Sequence, residues 1–419
     1  MSRFAIFLFG ACLLVACHAT RALKPQQKEN PLDQILAAQA ADFDSVLARP
    51  DLYEVQIIYT QIDRDARQVP HFTSYYWNVD STRYFYPAST VKMPLALLTL
   101  ERINQLKREG AATLNKNTAY ALDSVRAFQQ NYSVDPSAPG QKPSLAHDIR
   151  KIFAVSDNLA YNHLFEFLGR EYINQTLHRK GYTRTGIMHR FNYPGRDNRY
   201  SSPITFNDGV NSRAYPEKLD TNNWVNPQRG LQKGTGYQDN QGQLIDGPFD
   251  FSSKNWFALT DMEKMLRAVI FPEAVPAENR FDLSPDDYRF IRHYMGIFPW
   301  ECDYPKYDSV QFSKYPVEYL VFGDPKTPLD GSIRSFNKTG GAYGTLTDVA
   351  YIVDFENNTE FILAATILCN SDGIFNDDRY DYASVGIPFL GKLGQAVLAY
   401  ERSRKRKVTP DLRAFKIRK

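Results

Sequence analysis

The sequence lacks most of what would point to a metal, a nucleic acid or a membrane interior. It has only four cysteines in 419 residues and no CxxC or HExxH spacing, so it offers no metal-ligand set. Its formal charge is +3, from 50 Lys+Arg against 47 Asp+Glu, which gives no case for nucleic acid as a partner. After Cys17 no apolar run is long enough to cross a bilayer. There is no GxSxG, and no histidine stands beside a plausible nucleophile, which disfavours an α/β-hydrolase triad. There is no internal repeat and no sign of a cofactor.

What is present is globular. Hydrophobic residues make up 43%, and the length suits one large domain or two ordinary ones. Residues 1–17 carry a basic n-region at Arg3, an apolar stretch from Phe4, and the ending Leu14-Val15-Ala16-Cys17. This reads as a signal peptide. Its ending resembles a bacterial lipobox, which implies lipidation of Cys17, although an ordinary signal peptide that contains Cys17 fits too. Residues 18–30 then form a polar tether. The expectation is an exported lipoprotein, membrane-anchored in the periplasm or outer cell envelope, and monomeric. Cys302 and Cys369 remain, either joined or as buried free thiols. The basic stretch 406–419 reads as a solvated end or a contact with an anionic membrane surface.

Asn30 to Leu47 predicts an amphipathic helix with Leu32, Ile35, Leu36 and Phe43 on one side. Tyr53 to Ile62 and Phe72 to Val79 predict strands, and Tyr86 to Lys107 opens on Pro-Ala-Ser and continues as a helix. Loop and short helix follow to Arg150. Helices then start at Asn158 and Glu171, stopped by Gly169 and Gly181, and the chain from Gly186 to Pro203 is irregular. Residues 205–250 read as a polar insertion of loops or hairpins. Helices return at Thr260 to Phe271 and Ser284 to Met295, then an aromatic stretch near Trp300. Strands at Gly331 to Lys338, Thr347 to Phe355 and Phe361 to Leu368 precede a final helix from Val385. The fold class is therefore α/β (α+β): an antiparallel sheet flanked by N- and C-terminal helices, with an inserted all-helical lobe. One domain spans 31–405, its sheet lobe about 31–85 and 325–405, and its helical lobe about 86–324.

Ser89 and Lys92 stand three residues apart at a helix start, on one face. Alone, SxxK is weak, and a helix cap with a snorkelling lysine accounts for it. A second copy, Ser335 to Lys338, falls on a strand, where positions three apart face opposite ways. Two further fragments change the weight. Ser156-Asp157-Asn158 begins a helix, and Lys338-Thr339-Gly340 ends a strand. SxxK, SDN and KTG in this order and these settings resemble the active-site set of class A serine β-lactamases and related penicillin-recognising enzymes.

The resemblance implies a serine hydrolase working through an acyl-enzyme on Ser89. Lys92 would be the base, Ser156 would relay a proton to the leaving nitrogen, and Asn158 would hold Lys92 and the substrate amide. Lys338, Thr339 and Gly340 would bind substrate, and the N–H groups of Ser89 and Gly341 would form the oxyanion hole. The expected substrate is a β-lactam, or alternatively a D-Ala peptide of the cell wall or an ester, with a penicillin-binding sensor as the non-catalytic reading. One departure stands out. Where the family carries Arg-aromatic-Glu, this chain has Arg190-Phe191-Asn192, so an amide replaces the carboxylate that activates water for deacylation. Arg190 and Asp197 are expected to pin that loop by pairing. The 205–250 insertion and the aromatic stretch near Trp300 are expected to border the cleft.

Overall fold

A computed structural model describes residues 30–192, 197–312, 317–324 and 326–417. Cys17, the signal segment and all of the tether before Asn30 lie outside the described residues.

Five segments rich in β-branched and aromatic residues pair into one antiparallel sheet: β1 (Gln56–Arg64), β2 (Pro70–Trp77), β3 (Ile333–Ala342), β4 (Thr345–Asp354) and β5 (Thr359–Leu368). Their spatial order is β3-β4-β5-β1-β2, so strands from the two ends of the chain meet where β1 pairs β5. Both faces of β4 and β5 are covered, which is why these strands read as unbroken apolar runs without alternation.

One face carries the terminal helices. Asn30 caps Pro31–Ala38 by accepting from the Leu32 N–H, and the chain leaves helical geometry at Gln39 before Ala40–Leu47, so the single expected helix is two. Leu32, Leu36 and Phe43 pack with Leu390 and Leu393 of Ile387–Ser403 over Tyr59, Ile352 and Leu363. The basic stretch beyond this helix is no solvated end. Arg404 and Arg406 pair with the buried Glu401, which also accepts from the Tyr59 hydroxyl, and Leu412 and Phe415 are buried, Phe415 against Phe336 and Tyr351. Burying Glu401 requires those cations, and they draw the tail inward.

The other face meets the inserted lobe, whose helices Lys92–Arg108, Leu145–Val155, Asn158–Leu168, Arg170–Arg179, Leu259–Ile270 and Pro285–Met295 share a core with Ile58, Val349, Tyr351 and Ile362. Leu145–Val155, expected only as loop and short helix, is a full amphipathic helix capped by Ser144. The lobe is helical at its centre yet not all-helical, because short two- and three-stranded ribbons decorate it. The 205–250 insertion is built from such ribbons, and it is tied down at several points. Gly236–Gln238 pairs with Leu244–Asp246 and, in parallel, with Ile374–Phe375. Tyr84 donates to the Arg229 carbonyl, Arg229 to that of Thr82, and Lys233 pairs with Glu54.

Two further expectations resolve here. Cys302 and Cys369 are buried free thiols in separate cores, on opposite faces of the sheet. Trp300 does not border the cleft: it stacks on Phe298 at 4.9 Å and packs with the core beneath the terminal helices.

Candidate active site

Ser89 sits on a 3-10 turn, Ala88–Val91, rather than at an N-cap. Ala88 is held at φ 46°, in the left-handed region that costs a residue with a Cβ about 1–2 kcal/mol. Thr90 locks the turn by donating both its N–H and its hydroxyl to the Pro87 carbonyl. The α-helix starts at Lys92, and helical side chains lean towards the N-terminus, so the amine returns to the turn it follows. Lys92 Nζ lies 2.8 Å from Ser89 Oγ. It also donates to Asn158 Oδ1 at 2.7 Å and to the Ser156 carbonyl.

The carbonyl of Ser156 points there because Ser156 ends the preceding helix in left-handed geometry, φ 57°, and Asp157 then caps the next one by accepting from Ala160. This corner hangs the Ser156 hydroxyl between two amines, 3.1 Å from Lys92 Nζ and 3.0 Å from Lys338 Nζ. Both lysines are almost fully buried. Burial, with the nearby Lys338 charge, pushes the Lys92 amine well below its ordinary value. Burial brings Lys338 down to about 7, opposed by Asp348. Asp348 is itself raised to about 6 by burial, although it accepts N–H bonds from Leu320, Tyr319 and Asn337.

β3 brings Lys338, Thr339, Gly340 and Gly341 alongside the Ser89 turn. Thr339 is buried and hydrogen-bonded by the Tyr319 phenol. At Gly340 the two lobes touch: a methyl group there would lie 2.4 Å from the Pro87 carbonyl oxygen and 3.0 Å from the Ser89 nitrogen. Gly340→Ala is therefore expected to push strand and turn apart, costing about 1–3 kcal/mol in a melting experiment and most of any Ser89 reactivity. Unchanged reactivity in that variant would show that the contact does not set the geometry of Ser89.

Ser89, Asn158 and Gly341 open into a cleft of about 910 Å³. The loop at 190–192 differs from expectation in two ways. The side chain beside Lys92 belongs to Phe191, whose ring centroid lies 5.2 Å from Nζ, while Asn192 is exposed at the cleft lining with φ 49°. Asn162 fixes this by clamping Phe191 from both sides: its Oδ1 accepts from the Phe191 N–H and its Nδ2 donates to the Phe191 carbonyl, each at 2.9 Å. Arg190 does not pair with Asp197. It is buried against Glu166 at 2.7 Å, and Glu166 also accepts from the Ser202 N–H, so this carboxylate is spent pinning the loop. Asp197 pairs with Arg199 instead, which with its hydrogen bonds holds the Asp197 carboxyl below the usual range. Asn162 was within reach of sequence reasoning, being one turn after Asn158 on the same helix face. Phe191 and Asp348 carried no local signal.

The chain belongs to the beta-lactamase enzyme family: the family model matches residues 53–281, more than half of the sequence. That match includes Ser89, Lys92, Ser156 and Asn158 and stops before the Lys338 strand. The family points to hydrolase chemistry and to β-lactams as the substrate class. Among solved structures, the chain is similar to a beta lactamase from Xanthomonas campestris at 14% identity and TM-score 0.47, covering 88% of this chain and 97% of that one. It is similar to the structure of PBP-A at 14% identity and TM-score 0.48, covering 89% and 97%. A beta-lactamase from Sphaerobacter thermophilus is alike at 14% identity and TM-score 0.46, covering 89% and 98%. No curated protein matches the sequence.

Proposed function

We propose that this protein is a serine hydrolase that opens the amide of a β-lactam through an acyl-enzyme on Ser89. The observation that carries the reading is a buried Lys92 amine, its charged form disfavoured by that burial, 2.8 Å from the Ser89 hydroxyl. A neutral amine has the lone pair that an ammonium lacks. Lys92 takes the Ser89 proton as Oγ bonds to the carbonyl carbon. The oxyanion is met by the N–H groups of Ser89 and Gly341, each such donor being worth about 3–4 kcal/mol in related chemistry. The C–N bond then breaks, and the nitrogen receives the proton from Lys92 through Ser156 Oγ. Asn158 keeps Lys92 in place and has an amide to offer the substrate. Lys338 and Thr339 take the substrate carboxylate, and Gly340 lets their strand lie close.

Release is the weaker half, and one observation favours a second reading, a D-Ala-peptide carboxypeptidase, esterase or penicillin-binding sensor with slow deacylation. The group beside Lys92 is the Phe191 ring, which cannot take a proton from water. Among the described residues lining the cleft, Asp197 is the carboxylate, and Arg199 holds it.

Intact-mass spectrometry over time after addition of benzylpenicillin tests both halves. The expected result is one covalent equivalent on Ser89, absent in Ser89→Ala, that persists for many minutes. Rapid return to the unmodified mass with consumption of penicillin would establish efficient hydrolysis and remove the second reading. No adduct on a folded protein would overturn the proposal.

A further inference from the structure

The cleft holds a cation that the acyl-transfer chemistry does not use. Among the described residues four lysines and arginines line it, and three are bridged to carboxylates: Arg170 to Asp220, Arg190 to Glu166 and Arg199 to Asp197. The fourth, Lys254, has no carboxylate partner among the described residues. Its ammonium lies 3.5 Å from the Tyr343 hydroxyl and faces the rings of Tyr343 and Phe249, at 5.4 and 5.6 Å from their centroids. Its neighbour His189 is neutral: burial first, and Lys254 itself as a lesser cause, bring the imidazole down to about 4, and Nδ1–H donates to the Arg190 carbonyl. Lys254 also does not arise from the sheet or the nucleophile helix. It follows the ribbons of the insertion, which Phe249 and Phe251 anchor on Tyr343.

Position decides what it can bind. Lys338 and Ala342 stand at two points of β3, four steps at about 3.3 Å each, so about 13 Å of strand separates their backbones, and Tyr343, which Lys254 approaches, follows Ala342. The Lys338 amine is turned to Ser156 Oγ and the Lys254 amine to the Tyr343 hydroxyl, which sets them as two cation positions. We infer that Lys254 binds a second carboxylate, carried on the acyl half of the substrate, so that this site prefers doubly acidic acyl donors: peptides or β-lactams with an acidic group on the carbonyl side of the scissile bond. The inference rests on the Ser89 acyl-enzyme reading for its orientation.

Two penicillins that differ by that one group test it: benzylpenicillin and α-carboxybenzylpenicillin. Second-order rate constants for the Ser89 adduct are measured by intact mass for the wild type, Lys254→Ala, Lys254→Glu and Lys254→Arg. In Lys254→Ala the ratio of the α-carboxy rate to the benzyl rate is expected to fall about tenfold. It should fall further in Lys254→Glu and stay near wild type in Lys254→Arg, and the wild-type ratio should shrink as salt is raised from 0.05 to about 0.5 M. An equal change for both compounds, or an unchanged ratio, overturns the inference while leaving the acyl-enzyme intact. Failure of both compounds to modify the wild type overturns the acyl-enzyme reading instead. In that event calorimetric binding of the same pair to Ser89→Ala decides the Lys254 site alone: a preference for the α-carboxy compound that disappears in Ser89→Ala/Lys254→Ala supports it, and equal binding refutes it.

Discussion

Lys92→Met is expected to slow formation of the Ser89 adduct by about 10³-fold, the scale of a lost general base. Methionine preserves most of the length and packing of the lysine stem but has no lone pair positioned to take the hydroxyl proton. It leaves the Asn158 Oδ1 and the Ser156 carbonyl without the donor they share. The same variant has a signature in stability that a merely structural role would not produce. Burial lowers the Lys92 amine in the folded protein, so between that depressed value and the ordinary one near 10.5 the unfolded chain binds a proton that the native state does not. Stability contributed this way is fully present above the unfolded value and is lost as pH falls. In that window wild-type stability should rise with pH by up to about 1.4 kcal/mol per unit more than that of Lys92→Met. Denaturant unfolding at pH 7.5, 8.5 and 9.5 measures the difference, and equal slopes would mean that Lys92 is charged in the native state. Adduct formation with an anionic penicillin should fall at both extremes. It falls at low pH as Lys92 takes a proton, and at high pH as Lys338, near 7 in the free protein, gives one up.

Phe191→Glu should have the opposite effect on the other half of the reaction. Asn162 holds the backbone of residue 191 at both its N–H and its carbonyl, so a new side chain there starts from a fixed point beside Lys92. A carboxylate at that point can take a proton from water as it attacks the acyl-enzyme, and loss of the adduct is expected to speed up about 10²-fold. There are costs. Removing the ring from Tyr161, 4.6 Å away between centroids, should destabilise the fold by about 1–3 kcal/mol. A negative charge near Lys92 also favours its ammonium form, so acylation should slow. Phe191→Gln separates the effects, since it removes the ring without supplying a base. Adduct lifetime by mass and penicillin consumption by absorbance report the outcome. A Phe191→Glu adduct as long-lived as that of Phe191→Gln would show that this position does not reach the attacking water.

The three short motifs were readable because each is local. Ser89 and Lys92 share a helical turn, Ser156 to Asn158 make one corner, and Lys338 to Gly340 are consecutive on a strand. The sheet and its terminal helices were readable for the same reason, from periodicity within each segment. Contacts made between segments left no such trace. The family resemblance pairs Arg190 with Asp197. Glu166 takes it because one face of the Asn158–Leu168 helix points under the loop. Asn192 was placed at the position of the missing glutamate by counting along a motif. The clamp from Asn162 sets the loop so that Phe191 faces the lysine instead. The basic tail was read from its charge alone, although Leu412 and Phe415 were the residues that decide where it lies.

The near-contact of Gly340 with the Pro87 carbonyl has a further consequence, one for how such a site can be altered. The proposed acyl-enzyme chemistry would rest on this close junction between the two lobes. The far wall of the cleft is made by Trp224, Ser252 and Lys254, in the connections between and after the ribbons, and none of the three is among the atoms that Gly340 approaches. Recognition can be rewritten by randomising those three residues while Phe251, which packs on Tyr86 beside the Ser89 turn, is kept. A search for new specificity belongs there, because even one added methyl at residue 340 would spoil the engine along with the lock.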